Sequence, residues 1–189
     1  SEMCIRDKCY SPQIWASDDT DPIERLDIQS GLSYLYPQST VGAHVSAAPH
    51  QQTLRDTPLS TRFNVAAFGV LGYELELKYM THAELKELRG QIEFYKAHRK
   101  TFQFGRFYRF DERKDNKVHW QVSSRDGKEH IVGHFQKLCT ASEGPDALCV
   151  HDLDSKAKYH LSCKRQSLFI KRLGGLVKHV MPVELDPDG

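Results

Sequence analysis

The sequence predicts an α/β segment followed by an all-β segment, with the change near residue 105, and three observations carry that prediction. Before residue 105, β-branched and apolar runs alternate with two stretches of helical periodicity. After Gly105 the chain breaks into short alternating runs, "RFYRF", "VHWQVSS", "EHIVGHFQKL", "ALCVHDL" and "KYHLS", separated by "RKDN", "RDGK", "SEGPD" and "DSK", as antiparallel sheet requires. Finally, the order strand, helix, strand, loop, strand, helix belongs to an α/β barrel or an open parallel sheet. A complete (β/α)₈ barrel takes roughly 250 residues, so the residues before 105 can form only its closing section. We find no internal repeat.

The elements follow in order. "QIWAS" reads as a strand end. From Asp21 the pattern turns helical: Pro22 suits the first helical position, Ile23, Leu26, Ile28, Leu32 and Leu35 form an apolar side, and Pro37 ends it. "STVGAHVSA" reads as a short buried strand ending near Ala47, and the Pro-containing stretch from Ala48 to Thr61 as a loop. "NVAAFGVLGYELEL", residues 64 to 77, reads as a second buried strand despite its small residues and two glycines. The helix after it is better marked. Thr81 and Glu84 form a T-x-x-E capping box, Met80 and Leu85 occupy the staple positions, and Leu85, Leu88, Ile92, Tyr95 and Phe102 share one face, which predicts a helix over about 82–103.

The 189 residues carry 26 Lys plus Arg against 25 Asp plus Glu, and a formal charge of +1 gives no long-range field toward nucleic acid or anionic lipid. No apolar run approaches the ~20 residues that span a bilayer, and the first residues lack the apolar region of a signal peptide. Five cysteines, Cys4, Cys9, Cys139, Cys149 and Cys163, are odd in number and make no C-x-x-C pair, which indicates neither a disulfide framework nor a zinc site. A reduced, cytoplasmic setting is therefore expected.

Three long words, "SPQIWASDDTDPIERLDIQSGLSYLYP", "GAHVSAAPHQQTLRDTPLSTRFNVAAFGVLGYELEL" and "QIEFYKAHRKTFQFGRFYRF", resemble in order and spacing the C-terminal third of bacterial α-galactosidases of glycoside hydrolase family 36. The resemblance is continuous from Tyr10 to Phe110, weaker from Val118, and still present in "W-x-V-S" and "LDPDG". It implies the end of a (β/α)₈ catalytic barrel over residues 10–105 and an incomplete C-terminal β-sandwich over 106–189. "SEMCIRDKC", residues 1–9, departs from the family and is read as a non-native or out-of-register end. The resemblance further implies a retaining hydrolase of terminal α-linked galactose in oligosaccharides such as raffinose or melibiose, with no metal or cofactor, in a parent that is a homotetramer. In that family the acid/base aspartate follows the serine of the W-x-S-D-D-T-D signature, which maps it to Asp18. The family's nucleophile, its "K-W-D" stretch and its Cys-Gly-rich galactose-contact loop have no counterpart in these residues.

Without the resemblance, acids ahead of a Pro-initiated helix cap it and complement its dipole. The cluster can divide the two tasks. Asp21, before Pro22, together with Thr20 is the natural cap, and Asp19 is a hydrogen-bonding neighbour. Asp18 ends the strand, where a barrel places its active site. Glycoside hydrolysis needs a neutral carboxyl that protonates the leaving oxygen and then acts as a base, beside a nucleophile ~5 Å away in retaining enzymes. Glu24 and Asp27 ride on the helix leading away from the strand end and do not suit that second role. Alternation along "QIWASD" makes Trp15 a packing residue beside the barrel, His44 is expected to be a hydrogen-bonded structural residue, and Arg62 to pair with an acid of the 18–21 cluster. His130 and His134 share a strand face but stand too far apart for a metal pair. Seven Lys or Arg with no acid between Lys156 and Lys178 read as a solvated face rather than a polyanion strip.

Two other classes stay open on sequence. The chain could be a non-catalytic carbohydrate-binding or assembly module, or its parent could act on α-N-acetylgalactosaminides or transfer galactose.

Overall fold

A computed structural model describes residues 12–110, 116–138 and 149–162. The first two stretches belong to one compact unit and the third to another. The proposed non-native end at 1–9, Cys4, Cys9, Cys139, Cys163, the "LDPDG" tail and all of the basic stretch except its first residues lie outside the described residues.

The larger unit opens with three parallel strands, β1 (Ile14–Trp15), β2 (Val41–Ser46) and β3 (Val70–Glu74), in that spatial order. Trp15 lies opposite Gly42, and His44 opposite Gly72. Between them run α1 (Pro22–Leu32) and α2 (Leu59–Ala66), and α3 (His82–Phe104) follows. Because side chains alternate along a strand, β2 sends Val41, Ala43 and Val45 to one face, where they are no more than 1% exposed, and Gly42, His44 and Ser46 to the other. Ala43 and Val45 share a core with Leu26 of α1, Leu59 and Phe63 of α2, and Leu88, Tyr95 and Phe102 of α3.

The helices answer the local signals with one exchange of faces. Asp21 caps α1 by accepting from the Ile23 and Glu24 amides, and the Thr81–Glu84 box is closed in both directions at the start of α3. The buried side of α1, however, is Pro22, Arg25, Leu26 and Gln29, while Leu35 is exposed. Two polar side chains can line that side because each reaches a main-chain carbonyl: Arg25 Nη2 donates to Gly42 O and Gln29 Nε2 to Val65 O. A buried donor with a partner no longer carries its full desolvation cost.

The strand expected over 64–77 is a second departure. Residues 59–66 form α2 instead, and only Val70–Glu74 is extended. The run "LSTRFNVAAF" buries Leu59, Phe63, Ala66 and Ala67 at helical spacing, a pattern hidden in the sequence by the loop-like prolines before it. Pro58 sits just ahead of this helix, which is where a missing N–H does no harm.

Past α3 come three antiparallel strands, β4 (Arg106–Phe110), β5 (Lys117–Ser123) and β6 (His130–Gln136), in sequence order. The central strand β5 is buried from Val118 to Ser123, and Trp120 is fully enclosed. Phe68, just after α2, joins this sheet to the α/β part, with edge-on ring contacts to Phe102 at 5.4 Å, Trp120 at 5.3 Å and Phe135 at 6.1 Å. Polar ties reinforce the junction: Trp120 Nε1 donates to Ser30 Oγ at 3.0 Å, and Arg109 Nη1 to Ser33 Oγ at 3.0 Å.

In the smaller unit the described residues 149–162 contain no strand, contrary to the expectation from "ALCVHDL" and "KYHLS". They are nearly all exposed, and an alternating run without a ladder partner has nothing to hold it extended. Cys149 is a free, exposed thiol.

Candidate active site

The three parallel strands present their carboxyl ends together, and the acidic loop 16–21 leaves β1 on that side. Asp18 is exposed there. Its Oδ1 accepts a hydrogen bond from Trp15 Nε1 at 2.7 Å, and it caps no helix amide. The capping task falls to Asp21, as the division of the acids anticipates.

Asp21 has no exposed surface and holds four partners. Its Oδ1 accepts from the Ile23 amide at 2.8 Å, the Glu24 amide at 3.4 Å and Arg55 Nη1, while Oδ2 accepts from Thr53 Oγ1 at 2.7 Å. Burial alone would raise its carboxyl, but the Thr53 and Ile23 hydrogen bonds and the Arg55 cation outweigh burial and hold it below the ordinary carboxylate value. Asp19 accepts from the Asp21 amide at 3.0 Å and lies 3.9 Å from His50 Nε2. Thr20 does not share the cap; its hydroxyl meets His50 Nε2 at 3.0 Å. Thus His50, Thr53 and Arg55, all on the loop after β2, fasten the acidic loop from behind.

Arg62, expected to pair with these acids, does not. Its guanidinium donates to the carbonyls of Thr57 and Ser46, and Arg55 takes the acids instead. The reason is position: Arg62 is in the first turn of α2, beside the carbonyls of the chain entering it, whereas Arg55 is on the loop facing α1.

Trp15 also departs from expectation. Its register with Gly42 places it on the face opposite the helix-covered core, 44% exposed, with His44 edge-on to its ring at 4.6 Å. His44 is hydrogen-bonded as expected, Nδ1 to Glu74 Oε1 at 2.7 Å. Gly72 makes room for this imidazole, since a Cβ there would lie 2.5 Å from its Cδ2 and Nε2. Arg25 completes the group. It is 2% exposed, its guanidinium stands 5.5 Å from the Trp15 ring centre, and burial lowers its pKa while Asp19 and Glu74 act the other way.

Sequence reasoning missed Arg25, His50, Arg55 and Glu74. Arg25 was within reach, because it lies three positions after Pro22 and one before Leu26, on the side that α1 buries. The other three come from later segments, and only the parallel pairing brings them to β1.

His130 and His134 do not act together. His130 Nδ1 meets Ser123 Oγ, and His134 meets His119 across β5 and β6. No group of three or more His, Cys, Asp or Glu that could hold a metal occurs among the described residues. Among them, too, no helix is long and apolar enough to cross a membrane.

A parallel α/β layer with carboxylates, an indole and an imidazole gathered at the strands' carboxyl ends is the arrangement of α/β domains whose ligand sites lie at that edge. The comparisons narrow the class to one family. Residues 7–105 match the melibiase family model, and residues 117–178 match the glycosyl hydrolase family 36 C-terminal domain. The chain belongs to glycoside hydrolase family 36, the melibiase family. It is 41% identical over 153 residues to α-galactosidase AgaA of Geobacillus stearothermophilus, covering 80% of this chain and 21% of that one. To α-galactosidase 1 of Pediococcus pentosaceus it is 48% identical over 151 residues, covering 79% and 21%. The crystal structure of the Lactobacillus brevis α-galactosidase superposes with a TM-score of 0.76 at 45% identity, over 79% of this chain and 20% of that one. A substituted AgaA in complex with stachyose superposes at 0.74 and 42% identity, over 77% and 20%. The chain therefore spans about a fifth of the length of the curated relatives it matches.

Proposed function

We propose that this chain supplies the acid/base half of a retaining α-galactosidase site, with Asp18 as the group that handles the proton. The observation that carries the reading is the position of its carboxyl, exposed at the carboxyl edge of the parallel sheet and free of capping work, with Trp15 its one hydrogen-bond partner among the described residues. In the first step the Asp18 proton passes to the glycosidic oxygen as the bond from that oxygen to the anomeric carbon breaks, and a second carboxylate takes the anomeric carbon as an ester. In the second step Asp18, now ionised, removes a proton from water as the oxygen of that water displaces the ester, restoring both groups. The second carboxylate and the sugar-contact loops belong to the part of the relatives' length that this chain does not span.

The substrates are terminal α-galactosides of the raffinose and stachyose type, the ligands named for solved relatives. We further propose that residues 10–105 are the closing section of a (β/α)₈ barrel, that residues 106–189 belong to a C-terminal β-sandwich, and that the parent is a cytoplasmic homotetramer.

Two measurements test the function. The isolated 189 residues should give no measurable turnover of an aryl α-galactoside, because an acid/base without its nucleophile builds no transition-state site; measurable turnover overturns the division of the site. In a full-length enzyme carrying this segment, Asp18→Asn should lower kcat/KM, which reports the first step, by about 10²-fold or more for sugars with basic leaving groups and far less for activated aryl galactosides. Equal losses on both would remove the proton-donor role.

A further inference from the structure

We infer that Trp15 is a positioning residue for the Asp18 carboxyl and that, by occupying Oδ1, it assigns the transferable proton to Oδ2. The inference rests on the acid/base reading of Asp18 and adds which oxygen works and what holds the other.

An indole N–H can only donate. Trp15 Nε1 therefore holds Asp18 Oδ1 as an acceptor, at 2.7 Å, whether the carboxyl is ionised or protonated. In the protonated acid the carbonyl oxygen is the stronger acceptor, so Oδ1 keeps that role and the proton resides on Oδ2, which has no hydrogen-bond partner among the described residues. A carboxyl that turned freely would present either oxygen to the leaving group; one tethered through Oδ1 presents the same oxygen in both steps. Holding a reacting group in one orientation is a recognised source of rate.

The indole is seated before it meets the acid. Gly42 lies opposite it with no side chain, and a Cβ there would approach Trp15 Cε3 to 3.2 Å. His44 packs edge-on at 4.6 Å and is itself fixed by Glu74. Arg25 stands 5.5 Å from the ring centre, anchored by Nη2 on Gly42 O. The Arg25 Nε and Nη1 atoms are buried without a hydrogen-bond partner among the described residues. A buried cation with two unpartnered nitrogens costs stability. Its compensation here is the indole face, through cation–π attraction, and the charges of Asp19 and Glu74. The sequence puts its donor-only aromatic three residues ahead of the acid, where phenylalanine would give a smaller aromatic ring without the N–H.

The test needs no catalysis. The chain has two tryptophans, so an ¹⁵N-indole spectrum of the 189 residues contains two signals, and Trp15→Phe identifies the Trp15 signal by its loss while an unmoved Trp120 signal reports an intact core. The charged groups around the indole are Asp18 and Asp19 on its loop, Arg25 on α1, His44 on β2 and Glu74 on β3. The Trp15 indole proton should shift as Asp18 titrates. Asp18→Asn should remove that step and leave the responses to Asp19, His44 and Glu74 in place. Superimposable titrations of wild type and Asp18→Asn overturn the inference, and Asp18→Asn alone decides it should Trp15→Phe disturb folding. A failure here is separable from a failure of the acid/base reading, because the leaving-group dependence of Asp18→Asn is unaffected by which group holds Oδ1.

Discussion

Replacing Asp21 by alanine should be among the most damaging single changes to the acidic loop, because Asp21 both caps α1 and ties it to the loop after β2. The substitution removes the cap of α1, about 1 kcal/mol, and a part-buried hydroxyl-to-carboxylate hydrogen bond from Thr53, about 1.5–2 kcal/mol. The Arg55 pair adds at most ~1 kcal/mol, because that guanidinium is 39% exposed and its field is screened. The total is roughly 2.5–4 kcal/mol. Urea unfolding of the 189-residue chain, followed by far-UV circular dichroism, reads it as a lower midpoint at unchanged m-value. Asp21→Asn keeps an acceptor for the helix amides and should lose about half as much.

The same residue fixes a pH dependence. The folded carboxyl titrates below its ordinary value of 3.8, since hydrogen bonds and Arg55 outweigh burial. The folded state thus binds fewer protons than the unfolded chain in acid. The stabilisation is complete above the unfolded value and disappears as pH falls through the folded one. The wild-type advantage over Asp21→Asn should therefore be full at neutral pH and shrink through that acid window. A loss under ~0.5 kcal/mol for Asp21→Ala, or a gap that widens in acid, would refute the reasoning.

Two further changes probe the scaffold. Gly72→Ala places a Cβ where the His44 imidazole now lies, so it should displace the ring, break the contact with Glu74 and cost about 1–3 kcal/mol; His44 imidazole ¹⁵N shifts and urea midpoints read both, and an unmoved ring would count against the packing of that face. Thr81→Ala should cost about 1 kcal/mol by opening the capping box of α3, with the loss visible as faster amide exchange at Glu84, whose amide now donates to Thr81 Oγ1 at 3.3 Å.

How much of this was legible in the sequence differs by element. The long helix was, because its capping box, staple and apolar stripe are local signals, and the observed span, His82–Phe104, keeps to them. The first three antiparallel runs were legible for the same reason, since alternation and polar turns act over a few residues. The helix Leu59–Ala66 was not, because Val65–Phe68 and Val70–Tyr73, joined through Gly69, read as one apolar word, and only packing beside Ala43 and Phe102 separates them into helix end and strand. The runs at 149–162 failed in the opposite sense: alternation was present, but the described residues give them no ladder.

At the site the same line divides what was legible from what was not. The sequence by itself determined that Asp21 would cap a helix beginning at Pro22 and that Asp18 would follow a strand, because both depend on immediate neighbours. Tertiary structure decided that Trp15 turns away from the helical core onto His44, that Arg55 rather than Arg62 reaches the acids, and that Arg25 is buried against the indole. Those contacts join residues separated by up to 34 positions, and no local preference encodes them. The parallel register of β1 on β2 fixes the face that Trp15 and His44 take, and the packing of the loop after β2 against α1 brings Arg55 to the acids.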